Sequence, residues 1–249
     1  MRYALAAVAV VFAFTPALRA DDAGDAKALI EKAIKARGDK PDSKFAAMTW
    51  KDAGKFTGGG FALPYTADWA FQAPDKYRFA LVGTLGELKI TITVVVNGDK
   101  AWETDGDKVR EITGEKLDYV RGEVYQLWVA SLSPLVADKG FTLATAKGKD
   151  VAGKPAVAVT VTRDKQRAIT LYFDKDSGLL VKSETTVKDE FQKWKEVPDE
   201  AYYSDYKVAG GKQRFTKLKI VRDGKTMIEA TLSDAKDAVK LDAKLFEKP

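Results

Sequence analysis

The feature that most constrains this chain is a period-two alternation of apolar residues, which begins near Trp69 and recurs through much of the remaining sequence. Such alternation is typical of β-strands that bury one face. Turn signals separate the runs, and Asn97-Gly98 predicts a two-residue hairpin. These turn signals follow one another too closely to admit crossover helices, so the sequence predicts consecutive antiparallel strands. The clearest alternating runs are Trp69/Phe71, Tyr77/Phe79/Leu81, Leu88/Ile90/Ile92/Val94/Val96, Val157/Val159/Val161, Ile169/Leu171/Phe173 and the segment from Phe215 to Val221.

Two segments instead have the apolar spacing of an amphipathic helix. The first begins at Asp25 and ends at a glycine in the C-cap position. The second runs from Glu115 to about Ser131 and is followed by Pro134 as a stop signal. No internal repeat or linker divides the chain, so residues 21–249 are expected to form a single α+β, mostly β domain.

The N-terminal residues 1–20 have the pattern of a cleavable signal peptide. Arg2 precedes an apolar run from Tyr3 to Phe14, and Ala20 ends the segment. This run is too short for a membrane-spanning helix, which needs roughly 20 residues. We therefore expect an exported, periplasmic protein, with an uncleaved N-terminal anchor as the alternative.

The composition excludes several kinds of chemistry, because the chain contains neither cysteine nor histidine. Disulfides, thiol nucleophiles, Ser-His-Asp triads and the usual zinc and iron–sulfur sites are thereby excluded. We expect no catalytic residues, no metal and no cofactor. Glu123 could serve as a general acid, but no second carboxylate is tied to it by spacing.

The charge of the expected mature chain is small and evenly mixed. Without Arg2 and Arg19, 39 basic residues stand against 36 acidic ones, a net charge of +3. This is not the concentrated basic surface of a nucleic-acid-binding protein, and no nucleic-acid partner is expected.

A long antiparallel sheet must curl, and its apolar face then encloses either a packed core or a ligand cavity. The large aromatic residues of the first alternating strands fit both interpretations. In the second, the face of the mid-chain helix that carries Leu127 and Trp128 would close the cavity as a lid. Periodicity alone does not decide between them.

Several motifs follow one another in a characteristic order. They are Trp69 with Pro74, Arg78 and Phe79; the hairpin Val94-Val95-Val96-Asn97-Gly98-Asp99-Lys100-Ala101-Trp102-Glu103; Asp107-Lys108-Val109-Arg110; Val151-Ala152-Gly153-Lys154-Pro155; the segment Leu171 to Leu180; and the C-terminal segment with Asp242, Phe246 and Pro249. This combination resembles the LolA-like outer-membrane lipoprotein-sorting superfamily. The resemblance implies an incomplete, half-open antiparallel β-barrel of about eleven strands whose mouth is plugged by helices. It also implies a non-enzymatic protein with an apolar cavity for acyl chains.

The resemblance has one departure that bears on mechanism. Lipoprotein carriers place a basic residue just before the strand proline, where it holds the lid closed, and this chain has Ala73 there. The expected lid contacts are Leu127 and Trp128. The expected cavity lining is Trp69, Phe71, Tyr77, Phe79, Leu81, Ile90, Ile92 and Val94.

Two functional hypotheses follow. The first is an exported, monomeric carrier or binder of lipid or lipoprotein acyl chains in the bacterial envelope, with envelope membrane proteins as further partners. The alternative is a sensory or protein-interaction module on the same fold, which would have a filled cavity and an exposed apolar patch.

Overall fold

The structure is a computed structural model that describes residues 20–41, 47–106 and 108–249. The predicted signal peptide, residues 1–20, lies outside this part of the chain except for Ala20, where the first helix begins. Among the described helices, none is both long and apolar enough to span a membrane.

The described chain forms three α-helices, thirteen β-strands and two short 3-10 helices. The α-helices are α1 (Ala20–Ala36), α2 (Gly114–Ala130) and α3 (Ser133–Ala137). The strands are β1 (Ala47–Gly58), β2 (Phe61–Gln72), β3 (Lys76–Leu85), β4 (Leu88–Asn97), β5 (Lys100–Asp105), β6 (Lys108–Ile112), β7 (Phe141–Val151), β8 (Lys154–Arg163), β9 (Ile169–Asp174), β10 (Leu180–Asp189), β11 (Lys195–Ala209), β12 (Lys212–Arg222) and β13 (Lys225–Ala238). The 3-10 helices are Glu190–Gln192 and Ala243–Phe246. Both predicted helices are therefore confirmed.

All thirteen strands belong to one antiparallel sheet, in the order β6-β5-β4-β3-β2-β1-β13-β12-β11-β10-β9-β8-β7. The mostly β, antiparallel architecture is confirmed, but the expectation of about eleven strands is wrong. The sheet is open, because its edge strands β6 and β7 are not paired with each other. Every strand pairs with the next strand in the sequence, except that the helical segment separates β6 from β7; in addition, β1 pairs with β13.

Hairpin turns set the register of this sheet. In the predicted hairpin at Asn97-Gly98, Asn97 pairs with Lys100, so the two turn residues are Gly98 and Asp99. Gly98 adopts a left-handed conformation with φ of 63°. A glycine at the first of the two central positions is the requirement of a type II′ turn. The hairpin prediction is confirmed, with the turn one residue later than the sequence pattern indicates.

The three helices lie against one face of the sheet, which we call the inner face, and form two packed cores there. At one end, α1, α2 and α3 pack on strands β7–β10 around fully buried Ile30, Val129 and Leu171. At the other end, α2 packs on strands β1–β5 around Phe71 and Val96. Helix α2 spans both cores because it leaves edge strand β6 and leads to edge strand β7.

The outer face of the sheet is partly covered by the C-terminus. Phe246, in the second 3-10 helix, is only 1% exposed and packs on Ala70 and Val95. Leu241 is fixed nearby, since its backbone N–H donates to Oε1 of Gln72 at 3.0 Å. The C-terminal motif thus has a structural role on the face opposite the helices.

The junction between β1 and β13 depends on close backbone approach at Gly54. This glycine pairs with Ala230 of β13 and Tyr65 of β2. A Cβ atom there would lie 2.4 Å from the carbonyl oxygen of Glu229 and 2.9 Å from the Cβ of Ala230. Both contacts involve atoms that cannot rotate away, so the first and last strands meet at a site that accepts only glycine.

We predict that Gly54→Ala lowers the free energy of unfolding by about 1–3 kcal/mol, the usual cost of overpacking. Gly122→Ala is the matched control. Gly122 lies inside α2, and a Cβ atom added there would meet no other atom within 4 Å, so alanine should raise stability by roughly 0.5–1 kcal/mol. Urea unfolding followed by circular dichroism measures both. An unchanged midpoint for Gly54→Ala would contradict the close approach.

Candidate functional site

A cavity of about 350 Å³ lies on the inner face, between the two packed cores. Its walls are the middle strands β11, β12, β13 and β1, with contributions from β2 and β3. The C-terminal half of α2 and the end of α1 cover it. Apolar or aromatic residues on its wall include Trp50, Trp69, Tyr77, Leu127, Ala201, Tyr203, Phe215, Leu218, Ile220, Leu232 and Ala235.

The cavity exists because the side chains of the middle strands do not fill the space under the helices. Ala201 and Ala235 present only methyl groups, and Leu218 and Leu232 remain half-buried. A gap of this kind in a well-packed protein loses dispersion contacts on its walls, and an apolar ligand would restore them. The position of the gap, beneath the middle of the sheet, thus favours an apolar occupant.

Stacked aromatic rings form the wall of the cavity on the β1–β3 side. The rings of Trp50 and Trp69 stack with centroids 5.3 Å apart. Trp69 also contacts Phe79 at 4.4 Å and the edge of Tyr77 at 5.8 Å. These contacts fix the indole of Trp69 in a preformed wall.

The structure places the sequence-predicted lining residues on one face, but only part of the set reaches the cavity. Strand pairing aligns Phe71 with Tyr77 and Trp69 with Phe79, all on the inner face. Trp69 and Tyr77 line the cavity, together with the expected lid residue Leu127.

The other predicted residues pack beside the cavity. The core under α2 contains Phe71, Phe79 and Val94. A smaller cluster, with Leu63 and Tyr65, contains Leu81 and Ile90. Ile92 is half-buried and pairs with Leu81 across β3 and β4. The second expected lid residue, Trp128, packs against Phe141 at 5.0 Å and beneath the guanidinium of Arg163 at 4.8 Å. The lining from β11–β13 was not anticipated, although the alternation from Phe215 to Val221 identifies the face it occupies.

An unexpected carboxyl group, Asp52, lies on the cavity wall. Its side chain is 5% exposed, and Oδ2 accepts a 3.4 Å hydrogen bond from the Tyr65 hydroxyl. Burial raises the pKa of Asp52 to about 6, and Trp69 and Tyr65 only partly oppose this. The Trp69 indole N–H lowers the pKa of Asp52 but does not form a hydrogen bond with it. Both Trp69 Nε1 and Asp52 Oδ1 are buried without a hydrogen-bond partner. The burial therefore leaves one acceptor of Asp52 unsatisfied.

A second carboxyl, Glu123 of α2, reaches the cavity from the opposite side. About a third of its side chain is accessible, and it lines the cavity. Arg222 lies 3.6 Å from Glu123 Oε1 and donates through Nε to Asp199 at 2.8 Å. Burial raises the pKa of Glu123 to about 7, Arg222 lowers it and Asp199 raises it again. One arginine thus serves two carboxyls, and Glu123 has the weaker contact.

The rim of the cavity is a compact ion-pair network that joins α1 to the sheet. Asp39 lies 2.6 Å from both Arg37 and Lys212, and Asp237 lies 2.6 Å from Lys212 and 2.8 Å from Arg214. Burial opposes the ionisation of Asp39 and Asp237, but the neighbouring cations hold the pKa of each carboxyl below its usual range. Each rim cation is therefore committed to a carboxylate.

The lining of the cavity suits it to binding a ligand, because most of it is apolar. Within the described ranges no group of three His, Cys, Asp or Glu side chains could hold a metal ion. A second cleft, of about 620 Å³, lies over β9–β11 and is lined mainly by polar side chains such as Arg167, Glu184 and Glu200. The inner cavity is the better ligand site because its walls are largely apolar with a few converging polar groups.

The raised pKa of Asp52 predicts that this residue lowers the stability of the folded state by an amount that depends on pH. The folded state holds this proton more tightly than the unfolded chain, so the contribution of Asp52 to wild-type stability should fall as the pH rises from about 4 to 6. Asp52→Asn cannot ionise. The stability of this variant relative to wild type should therefore increase by roughly 2–3 kcal/mol between about pH 4 and pH 7.

Urea unfolding at each pH tests this prediction. Asp68→Asn is the control, since Asp68 lies on the neighbouring strand with 65% of its side chain exposed. The control should keep the wild-type pH dependence. A constant difference between Asp52→Asn and wild type across the range would contradict the assignment.

Comparison with known proteins gives similarity in structure alone. No protein-family model matches the sequence, and no curated protein matches it. The fold is similar to a LolA superfamily protein from Nitrosomonas europaea, with a TM-score of 0.58, 11% identity, and coverage of 90% of this chain and 97% of that one.

Two further solved structures are similar over the same extent. A DUF1329 family protein from Desulfovibrio piger gives a TM-score of 0.57 at 15% identity, covering 89% of this chain and 97% of that one. A domain described as an outer membrane lipoprotein-sorting protein, from Vibrio parahaemolyticus, gives 0.54 at 12% identity, covering 88% and 96%. The resemblance predicted from the sequence motifs is thus confirmed at the level of the fold: this chain adopts the LolA-like fold.

Proposed function

We propose that this protein is an exported, periplasmic, non-catalytic binder that carries lipid or lipoprotein acyl chains in the bacterial envelope. The observation that carries this proposal is the apolar cavity between the two cores. The similarity in fold to a domain described as an outer membrane lipoprotein-sorting protein supports it. Export rests on the signal-peptide pattern of residues 1–20.

The size and lining of the cavity suit a flexible hydrocarbon chain. Its volume of about 350 Å³ falls within the range of roughly 300–1,000 Å³ typical of small-molecule sites. Burial contributes about 0.8 kcal/mol per methylene, so a stretch of about ten buried methylenes could gain roughly 8 kcal/mol before ordering losses. A ligand held this strongly needs a release step.

The release step in this proposal is movement of α2, which covers the cavity. With Ala73 in the position where carriers have a basic residue, other charges hold the helix in place. Lys116 pairs with Glu103 at 2.5 Å, Arg121 with Asp99 at 3.1 Å, and Glu115 with Lys188 at 3.0 Å. Because every one of these pairs is at least partly exposed, each contributes little, and a partner or a membrane surface could exchange them.

Native mass spectrometry of the mature protein, purified without detergent from an envelope fraction, tests the proposal. A stoichiometric lipid or acylated peptide, identified after solvent extraction, is the expected result. The N-terminus of the same sample tests cleavage after Ala20. A ligand-free mass together with no uptake of a fluorescent fatty acid or fluorescent phospholipid would contradict the carrier function.

The alternative, a protein-interaction module, is favoured by one observation at the opposite end of the sheet. Phe61 and Phe191 are 36% and 43% exposed, and their rings lie 5.7 and 5.9 Å from that of Phe56. Leu88, at the start of β4, is 64% exposed. If the cavity takes up no ligand, these exposed apolar side chains become the surface on which to seek a protein partner.

A cavity-filling variant should block uptake directly. Ala235→Trp places an indole in the cavity, and we expect at least about tenfold weaker uptake of a fluorescent acyl probe, because the ligand loses the space in which its methylenes are buried. Val208→Trp is the control, since Val208 is 69% exposed. Equal uptake by both folded variants would place the acyl site elsewhere.

A further inference from the structure

The cavity contains two buried oxygen atoms that nothing in the described chain satisfies with a hydrogen bond. Asp52 Oδ1 and Glu123 Oε1 are both shielded from solvent, and neither has a hydrogen-bond partner. Buried polar atoms in folded proteins almost always have one, from protein or from ordered water. Both residues line the same cavity. Two unsatisfied acceptors on one apolar cavity point to a ligand that brings hydrogen-bond donors.

The charge around these oxygens selects the kind of donor. When Asp52, Glu123 and Asp199 are all ionised, Arg222 is the single cation of this group and is nearest to Asp199. The inner wall of the cavity then has an excess of negative charge. A carboxylate or phosphate group would be repelled from it, while a protonated amine would supply both positive charge and three donors.

The rim network does not reverse this preference. Lys212 lies between Asp39 and Asp237, and Arg37 and Arg214 each contact one of these carboxylates. An anionic headgroup would have to displace an existing ion pair to bind there. The two oxygens at the inner wall, by contrast, have no donor in hydrogen-bond geometry, although Arg222 lies 3.6 Å from Glu123 Oε1.

Strand geometry gives the length available to the ligand. Asp237 at the rim pairs with Met48, which precedes Asp52 by four residues on β1. At about 3.3 Å per residue, the rim and the Asp52 position are roughly 13 Å apart. Between them lie Trp50 on β1 and Ala235 on β13, and both line the cavity, so a chain of about ten carbons would fit along this path.

We propose that the cavity selects amphiphiles whose polar group is a protonated amine, bound at the inner wall that carries Asp52 and Glu123, with the hydrocarbon chain directed toward the rim. This inference rests on the proposed apolar-ligand binding and names the headgroup class that the same cavity takes. Its positioning element is the pair of unsatisfied carboxyl oxygens, one on strand β1 and one on helix α2.

The test compares three probes of equal chain length, decylamine, decanol and decanoate, with the delipidated mature protein at about pH 8, where amine and carboxylate probes are both charged. Binding is followed by isothermal titration calorimetry and by the fluorescence of Trp50 and Trp69 on the cavity wall. We expect decylamine to bind at least about tenfold more tightly than decanol, and decanoate to bind most weakly.

Three variants assign the preference to the carboxyl pair. Asp52→Asn and Glu123→Gln keep side-chain size and remove charge, and each should reduce the amine-to-alcohol ratio to about threefold or less. Asp68→Asn, on the exposed side of β2, should keep the wild-type ratio. Circular dichroism verifies that every variant is folded, and the use of two independent variants keeps the test valid if one is not.

Each other outcome overturns the inference in a distinguishable way. Equal binding of decylamine and decanol would show that the oxygens are satisfied by water and that the cavity is selective only for hydrocarbon. Tightest binding of decanoate would assign headgroup recognition to the rim cations. Failure of all three probes to bind would overturn both this inference and the proposed function.

Discussion

The connection between the two edges of the sheet is the constraint on which the rest of the structure depends. β6 and β7 are consecutive in the chain, yet they lie twelve positions apart in a sheet of thirteen strands. The segment that joins them, α2 and α3, must therefore pass across the inner face. It fills the two ends of that face well and the middle poorly, because α2 packs closely on β1–β5 and on β9–β10, whereas on β11–β13 Ala201 and Ala235 present only methyl groups beneath the helices. The cavity is a consequence of this crossing.

The two ends of the cavity differ in how well their carboxyl groups are paired with positive charge and hydrogen-bond donors. At the rim, Asp39 and Asp237 alternate with cations at ion-pair distance, and their low pKa values reflect that complementarity. At the inner wall, Asp52 and Glu123 are buried with too few donors, so their pKa values rise. A fully apolar wall would favour folding more strongly. The two carboxyls, which have too few hydrogen-bond donors, therefore lower the stability of the unliganded protein. A ligand that supplied the donors could restore that stability.

The alternating runs predicted most strands because one face of each is buried, and apolar spacing and caps predicted both long helices, although α1 begins at Ala20 and not at the expected Asp25. The sequence pattern failed where the inner face departs from the apolar rule: β1 has Asp52 and Gly54 there, so its alternation is weak and the strand was not identified. At the site, aromatic residues such as Trp69 were visible as candidates. Ala201 could not be identified as a candidate from the sequence. A small side chain borders a cavity only when strands distant in sequence come together around it, as β1 and β13 do.

The open edges of the sheet have a consequence for how this molecule meets copies of itself. An unpaired edge strand exposes backbone donors and acceptors that can template cross-β aggregation. β6 is five residues long and exposes Lys108, Arg110 and Glu111, while β7 has a register shift between Ala146 and Lys149 that interrupts its hydrogen-bond ladder. The short length and the charges of β6 disfavour pairing with another molecule at that edge, and the register shift in β7 disfavours it at the other. A sheet left open to accommodate a crossing helix can in this way persist at high concentration without growing into a fibril.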